Sequence, residues 1–434
     1  MSSDVLSQIS QSISDPSYLD ETSKLEREAV NLLVKYAQYS QLGDQQPPLS
    51  GELLVQEAKQ FLKALSEWED EFGELDVLYK AARKEIGVLR SKVMKERLQK
   101  ANLQRTNNIL KQAFILSTEM RDEHLSEVKD LAFARELFVS TVKMVEIEVF
   151  SYCNRVCWFC PNAIHDRRSA NHHMKHETYI KILEDLRSCD FDKRISFSRY
   201  NEPLADQSIV DRLAEARSYL PKAILHINTN GDYLHEEYLS RLYEAGLRSL
   251  NVQIYLNNEE KYDHGRVRQK LERRVSDLGL SVHDVKDIPN TWLEVAAPYR
   301  DMKLRMYGRN FDVNGCDRGG TVEVHSKSPR VSPCRSPFYH MYIDYNGSVM
   351  PCCNVRSDVP EHRQCKLGVM SKDTSLFEIY AGSKAASWRR AMVGFRPKEG
   401  VCKNCNFKEF TDSIETRKAQ ESILKTALDL EKTI

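Results

Sequence analysis

The stretch Val145-Glu-Ile-Glu-Val-Phe150, which runs within three residues into Cys153-Asn-Arg-Val-Cys157-Trp-Phe-Cys160-Pro161, decides how this chain is read. Apolar and acidic residues alternate over 145–150, the period of a β-strand. The strand ends on a loop whose cysteines have the spacing C-x3-C-x2-C. Three thiolates on one tight loop suit three irons of a [4Fe–4S] cube and leave the fourth iron open. An open position is what a catalytic metal centre keeps, whereas a structural site fills every position. On spacing alone two other readings stand: a structural zinc site with His165 as fourth ligand, and cysteines that only pack in a core.

Downstream of the loop, short apolar strands recur at 195–197, 223–227, 250–255, 293–296 and 303–307, and helical stretches separate the earlier ones at 178–187, 209–219 and 236–245. Alternation of strand and helix argues for parallel βα units. Six strands, counting 145–150, predict an α/β fold: a partial (β/α)6 TIM-like barrel or an open sheet over 146–315. Residues 256–290 are charged and poorly patterned and read as an insertion.

Upstream the pattern is helical. No proline lies between Pro48 and Pro161. Apolar residues from Leu54 through Leu65, Trp68, Phe72, Tyr79 and Ile86 to Val93 follow alternating steps of four and three, the 3.5-residue period of a helix packed along another helix. Gly73 is a possible break. A second amphipathic stretch covers roughly 103–139, with Leu110, Phe114, Leu131 and Leu137 on one face, and a shorter helix over 25–39 ends at Gly43 and the Gln-Gln-Pro-Pro loop of 45–48. Residues 1–145 therefore read as a separate helical domain. It either packs on its own chain or mediates association with a partner or a second copy.

Composition narrows the class. The 434 residues hold 63 basic and 63 acidic side chains, so the formal charge is zero and a polybasic nucleic-acid binder is excluded. No apolar run reaches the ~18–20 residues of a membrane span, and the start carries no basic and apolar signal segment. The expected location is the cytoplasm. The chain has 11 cysteines, all after residue 152, so the last two thirds use thiolates in a compartment where disulfides are rare.

The cysteine loop resembles the signature of the radical S-adenosylmethionine (radical SAM) superfamily, C-x3-C-x-aromatic-C after the first barrel strand, with Phe159 in the aromatic slot. The resemblance implies that Cys153, Cys157 and Cys160 ligate a cluster whose open iron chelates S-adenosylmethionine. Reductive cleavage then gives a 5′-deoxyadenosyl radical that abstracts hydrogen from substrate. Ser198-Arg-Tyr200-Asn201-Glu202-Pro203 resembles the second-strand turn that binds the methionine amino group, with Asn201 where glycine is usual; the substitution adds a Cβ at a place of close approach. Asn228-Thr-Asn-Gly231 resembles the third-strand segment facing the methionine carboxylate or ribose, and Gln253 follows on the fourth. Phe159, Tyr200, Asn201, Glu202, Asn228 and Gln253 are accordingly the expected cofactor contacts.

A second group of cysteines follows the barrel. Residues 338–352 alternate like a hairpin around Asn346-Gly347, which brings Cys352 near Cys334, and Cys402-Lys-Asn-Cys405 is a C-x2-C knuckle. These four thiolates suit zinc and iron–sulfur equally by spacing. The order Cys334, Gly347-x4-Cys352, Cys402-x2-Cys405 resembles the auxiliary-cluster module called SPASM in its shortened twitch form. That implies one auxiliary [4Fe–4S] cluster held by Cys334, Cys352, Cys402 and Cys405 within a module over 316–410, followed by an exposed helix at 411–434. Cys353 is expected to be a packed thiol on the opposite face of its strand, Cys189 a core residue, and Cys365 or Cys316 a ligand only if a second site forms. Asp317-Arg318-Gly-Gly resembles a stretch that precedes the module in relatives, and its arginine is a candidate for binding substrate or a chain carbonyl.

The resemblance implies a radical SAM oxidoreductase that oxidises a sugar-like or other small metabolite, with the auxiliary cluster as electron acceptor and flavodoxin or ferredoxin as electron donor. Candidates for the proton acceptor are Arg199, Tyr255, Glu294 and Arg305. The alternatives are modification of a ribosomal peptide by thioether, carbon–carbon link or epimerisation, and a non-catalytic scaffold with structural metal sites.

Overall fold

The computed structural model describes residues 75–323, 328–407 and 410–421. The readings made for 25–39, 45–48, 54–74 and the end of the 411–434 helix lie outside them. The chain divides into two compact units, Met1–Asn108 and Ile109–Ile434. Helix α1 is Leu75–Glu119.

The second unit is built on one sheet of ten strands. Six of them run parallel. Strand β1 (Met144–Ile147) lies between β2 (Arg194–Ser196) and β8 (His340–Ile343), with Val145 opposite both Ile195 and Met341. Beyond β2 the order continues through β3 (Ile224–Thr229), β4 (Ser249–Gln253) and β7 (Lys303–Arg309). Helices α3 (His176–Ser188), α4 (Ser208–Tyr219) and α5 (Glu236–Glu244) connect these strands. A parallel pair needs such a crossover, because a tight turn joins only antiparallel strands. The apolar strand residues Val145, Ile147, Ile195, Leu225, Ile227, Leu250, Val252, Leu304 and Met306 are buried in one continuous core.

The structure corrects three expectations. The fifth predicted strand is β6 (Trp292–Ala296); it runs antiparallel to β7 and forms a hairpin with β5 (Asp284–Ile288), so it adds no parallel unit. The sixth parallel strand is β8, from the region assigned to the cysteine module. That hairpin is part of the sheet because β1 has a free edge which a parallel neighbour can complete. The stretch 256–290 is ordered: helix α6 (His264–Asp277) makes the crossover from β4 to the β5–β7 edge, burying Val267, Leu271 and Val275 at steps of four. Its stripe is narrow and its other residues charged, which hid the period.

The stretch read as one amphipathic run over 103–139 breaks between Glu119 and Leu131. Helix α2 (Leu131–Thr141) begins at Asp130, whose side chain accepts from the Phe133 N–H at 2.7 Å. It buries Ala134, Leu137 and Phe138 in the sheet's core, so this part of the expected helical region packs with the barrel. Leu110 and Phe114, expected on the apolar face, are exposed. Leu116, Met120 and Leu125 instead form a small cluster with Phe338, Val393 and Phe410. Among the described residues no helix is long and apolar enough to cross a membrane.

Phe138 is fully buried, with edge-on contacts to Phe377 at 5.3 Å and Tyr380 at 5.2 Å. Phe138→Ala is expected to destabilise the second unit by about 3–5 kcal/mol, as a cavity of aromatic size does. Urea denaturation of the metal-free protein will measure this; a change below about 1 kcal/mol would mean that α2 is not part of the core.

Candidate functional site

At the carboxyl end of β1 the chain turns into the cysteine loop, and neighbouring segments hold that loop by its backbone. The Cys153 N–H donates to the Arg167 carbonyl at 3.1 Å and the Trp158 N–H to the Asn258 carbonyl at 3.0 Å. Arg155, between the first two cysteines, donates from Nε and Nη2 to Asp232, each at 2.6 Å, and from Nη1 to the Leu256 carbonyl at 2.8 Å. This fork fixes the loop on both the β3 and the β4 side. Cys153, Cys157 and Cys160 line one cavity of about 290 Å³. Burial pushes the Cys153 and Cys157 thiols up to about 12.

The turn after β2 forms the next wall. Glu148, fully buried just past the end of β1, accepts the backbone N–H groups of Tyr200 at 3.0 Å and Asn201 at 3.1 Å. The side chain of Asn201 is accommodated without glycine: its Oδ1 accepts the Arg199 N–H at 3.1 Å. Among the described residues Asn201 Nδ2 has no partner, and neither has Gln253 Nε2, whose Oε1 accepts from the Tyr307 hydroxyl at 3.2 Å. Two buried amide donors without acceptors, both on the cavity wall, call for an acceptor-rich occupant. Asn228 lines the same wall and accepts from Asn251 Nδ2 at 2.8 Å. Phe159 stacks on Phe311 with centroids 3.4 Å apart and lies 5.2 Å from the Tyr255 ring.

Glu202 is engaged by the chain itself. Its carboxylate accepts from the Leu204 N–H at 3.0 Å, the Asn230 N–H at 2.7 Å and the Thr229 hydroxyl. Burial still raises it to about 7, against the effect of these donors. It ties the β2 turn to the end of β3. There Gly231 has φ +74°, and a Cβ on it would sit 2.7 Å from Val252 Cγ1, so only glycine suits this place.

The opposite wall comes from the C-terminal part. Arg318 adopts φ +49°, unusual for a residue with a Cβ, and begins a run of positive φ through Gly319 and Gly320. This turns its side chain into the cavity wall, where Nη1 reaches Asn354 Oδ1 at 3.3 Å and Nε has no partner. The Tyr200 hydroxyl donates to the Cys353 carbonyl at 2.7 Å. Cys353 itself lines the cavity; it lies in the turn after β9 (Ser348–Met350) and packs, as a partly buried thiol, against the small cluster of Tyr342, Met350 and Val355, so that it both packs and borders the site. Of the proton-acceptor candidates, Arg199 and Tyr255 line the cavity. Glu294 and Arg305 do not; they pair with each other at 3.4 Å near the β6 edge.

Glu146, missed by the sequence reading, also lines the cavity. It lies 3.5 Å from Arg199 Nη1, while Arg199 Nη2 holds Asp344 at 2.7 Å. Burial pushes the Glu146 carboxyl up to about 7, opposed by Arg199. The signal needs the pairing of β1 with β8, which the sequence does not reveal. A strand with parallel neighbours on both sides is normally covered on both faces, so an acidic residue on it cannot simply face water.

The second set of cysteines forms beside this wall. Gly347, at φ +79°, closes the turn between β8 and β9 (Ser348–Met350), where a Cβ would meet the Met370 carbonyl at 2.6 Å. In the knuckle the Cys405 N–H donates to the Cys402 carbonyl at 3.2 Å. The thiols act on one another. Burial, then Cys334 and Cys405, pushes Cys402 up to about 12. Burial, then Cys353, Cys402 and Cys334, raises Cys352 well above the usual thiol range. Cys365 packs with Tyr342, Met350 and Val355, Cys316 donates to Asn354 Oδ1 at 3.0 Å, and Cys189 caps α3 by donating to the Leu186 carbonyl at 3.2 Å.

Residues 147–277 match the Radical SAM superfamily and residues 334–406 the SPASM iron-sulfur cluster-binding domain. The chain carries a radical SAM domain and a SPASM iron–sulfur domain. It is 28% identical over 283 residues, 65% of its length and 98% of the relative's, to S-adenosyl-L-methionine-dependent 2-deoxy-scyllo-inosamine dehydrogenase of Niallia circulans. A crystal structure of BtrN with AdoMet and 2-DOIA is 26% identical, with TM-score 0.46, covering 63% of this chain and 97% of that one. A structure of anSMEcpe with AdoMet and a Cp18Cys peptide is 13% identical, with TM-score 0.35, covering 66% and 96%.

A radical SAM domain uses S-adenosylmethionine and a four-iron cluster, and a SPASM domain brings auxiliary iron–sulfur chemistry. The donor sets fit. Both are all-thiol, one of three residues and one of four, and soft thiolates suit iron–sulfur clusters. Among the described residues no three Cys, His, Asp or Glu side chains are drawn together as around a single ion; a cube binds each thiolate at a separate iron. The unpartnered amides of Asn201 and Gln253 fit the acceptor-rich S-adenosylmethionine.

Anaerobic reconstitution is expected to give about eight irons and eight sulfides per chain, four of each per cube. Replacing Cys153, Cys157 and Cys160 together by Ala should leave about half, and so should replacing Cys334, Cys352, Cys402 and Cys405. Iron and sulfide assays check this; a protein that binds only zinc would overturn both assignments.

Proposed function

We propose that this radical SAM enzyme oxidises a secondary alcohol on a small polyhydroxylated metabolite such as an aminocyclitol. Cys153, Cys157 and Cys160 hold the cluster that binds S-adenosylmethionine, and Cys334, Cys352, Cys402 and Cys405 hold one auxiliary cluster. One observation carries the reading: Cys353 lines the cavity of the first cysteine set while its chain neighbour Cys352 belongs to the second. A substrate in the cavity is then one peptide unit from a fully ligated cluster, the kind suited to electron transfer.

Oxidation of a secondary alcohol removes a hydrogen atom from carbon, a proton from oxygen and one electron. The bound cofactors supply the 5′-deoxyadenosyl radical for the first and an electron acceptor for the last. The chain has to take the proton. Glu146 is suited to this because its carboxyl titrates near neutral pH, where a general base works best. Arg199 neutralises the charge of its ionised form. Arg318, with a free Nε, and the Tyr200 hydroxyl are placed to orient substrate hydroxyl or amino groups. The same wall offers charged and polar groups to a small polar molecule. Asn201, Gln253, Asn228 and Phe159 contact S-adenosylmethionine, and Glu202 shapes the turn from behind. Flavodoxin or ferredoxin serves as electron donor, and the helical N-terminal region serves association with a partner or a second copy.

The reconstituted enzyme, given S-adenosylmethionine, a reductant and 2-deoxy-scyllo-inosamine or related aminocyclitols, should form 5′-deoxyadenosine and a ketone in equal amounts. Modification of a peptide in place of any aminocyclitol would overturn the reading. The rate should rise with pH through about 7 as Glu146 loses its proton. Glu146→Gln should remove that rise and lower turnover by about 10²–10⁴-fold; an unchanged pH profile in this variant would remove Glu146 from the proposed role.

A further inference from the structure

We infer that Arg330, supported by Lys398, is the counter-charge of the auxiliary cluster and raises its reduction potential, favouring acceptance of the electron from substrate. The inference rests on the assignment of Cys334, Cys352, Cys402 and Cys405 as ligands of that cluster.

Arg330 is only 2% exposed. Its guanidinium donates from Nε to the Ser332 carbonyl at 3.0 Å, from Nη2 to the Pro333 carbonyl at 2.6 Å and from Nη1 to Cys405 Sγ at 3.4 Å. The acidic groups acting most strongly on it are the thiols of Cys334, Cys405 and Cys402, and no carboxylate of the described residues is paired with it. Three arginines around the first cavity are different: Arg167 holds Glu148 and Asp358, Arg199 holds Glu146 and Asp344, and Arg356 holds Asp358.

A second cation repeats the pattern. Lys398 is 4% exposed, and its Nζ donates to the carbonyls of Gly394 at 2.5 Å and Ala391 at 3.2 Å. Burial and the neighbouring Arg396 and Arg330 weigh against its charge, and Cys334 and Cys402 favour it; no carboxylate of the described residues is paired with it. Backbone hydrogen bonds fix the two together. The Lys398 N–H donates to the Arg330 carbonyl at 2.9 Å, and the Arg330 N–H to the Lys403 carbonyl at 2.8 Å, inside the Cys402–Cys405 knuckle.

Buried cations without anions are costly, and two at one place call for a common anion. Thiols provide none while protonated; thiolates on a cluster do. A four-iron cube on four thiolates is anionic, and one-electron reduction adds a negative charge without forming or breaking a covalent bond. A fixed positive charge and an N–H···S hydrogen bond both stabilise the reduced state more than the oxidised one, and so raise the potential.

The test is a potentiometric titration followed by electron paramagnetic resonance. It uses the full chain, reconstituted, with Cys153, Cys157 and Cys160 replaced by Ala so that only the auxiliary cluster titrates. Arg330→Gln should shift the midpoint to lower potential, Lys398→Gln should shift it less in the same direction, and Arg330→Lys should restore part of the loss. An Arg330→Gln protein with full iron content and an unchanged midpoint would overturn the inference. If Arg330→Gln takes up no auxiliary iron, Lys398→Gln decides: a lowered midpoint supports the electrostatic role and an unchanged one overturns it. A parent protein with no second cluster would refute the ligand assignment itself, which the iron count separates from a failure of Arg330.

Discussion

The carboxylate of Glu148 is the point on which the site depends. It is fully buried just past the end of β1 and holds three parts of the chain at once: Arg167, the backbone N–H groups of Tyr200 and Asn201, and the Tyr345 N–H. Arg167 closes the cysteine loop, since its carbonyl accepts the Cys153 N–H. The charges then run in a circuit. Arg167 holds Asp358, Asp358 holds Arg356, Arg356 Nη1 donates to Asn162 Oδ1 at 2.6 Å, and Asn162 Nδ2 donates to the Tyr200 carbonyl at 2.9 Å. Removing one member of such a buried network strands the others, at a cost of about 3–5 kcal/mol for a broken ion pair. Cysteine loop, β2 turn and C-terminal hairpin are therefore held in one geometry before any cofactor binds.

This arrangement explains which parts of the molecule were legible in the sequence. The cysteine loop, the β2 turn and the Asn-Gly hairpin are local: spacing and turn chemistry within a few residues specify them. The parallel strands 1 to 4 and their helices were equally readable, because each carries a clear period of its own. What could not be read is pairing across distance. Nothing near residue 340 says that its strand will lie beside residue 145, about two hundred positions earlier. The direction of β6 is likewise set by its hairpin with β5, whose residues are exposed and weakly patterned. Helix α6 failed for a different reason: three buried residues in fourteen leave too narrow a stripe to stand out among its charges.

The two glutamates of Val145-Glu-Ile-Glu-Val show how context reverses a local rule. Alternation of apolar and acidic residues on an isolated strand predicts one wet face. On β1, flanked by β2 and β8, the acidic face points to the interior of the sheet. One glutamate, Glu148, is satisfied by backbone donors and Arg167 and becomes structural. The other, Glu146, meets only a shared arginine and remains open to the cavity. Two residues of one type, two positions apart, thus take different tasks because of how many donors each one finds.

The same reasoning links the two cysteine sets. A cluster that accepts electrons should be close to the substrate yet closed to it, since an iron open to the cavity would compete for ligands and react. The turn after β9 resolves this, because it puts two neighbouring cysteines at the boundary between the cavity and the second cysteine set. Cys352 lies near Cys334 and Cys402, and Cys353 lines the cavity, with its carbonyl fixed by Tyr200. The pairing of β8 with β1 is what brings this boundary to the carboxyl end of the first strand, where the cysteine loop begins. On the proposed function, the sheet's sixth parallel strand is therefore more than an edge cover: it would set the separation between the place where hydrogen is removed and the place where the electron goes.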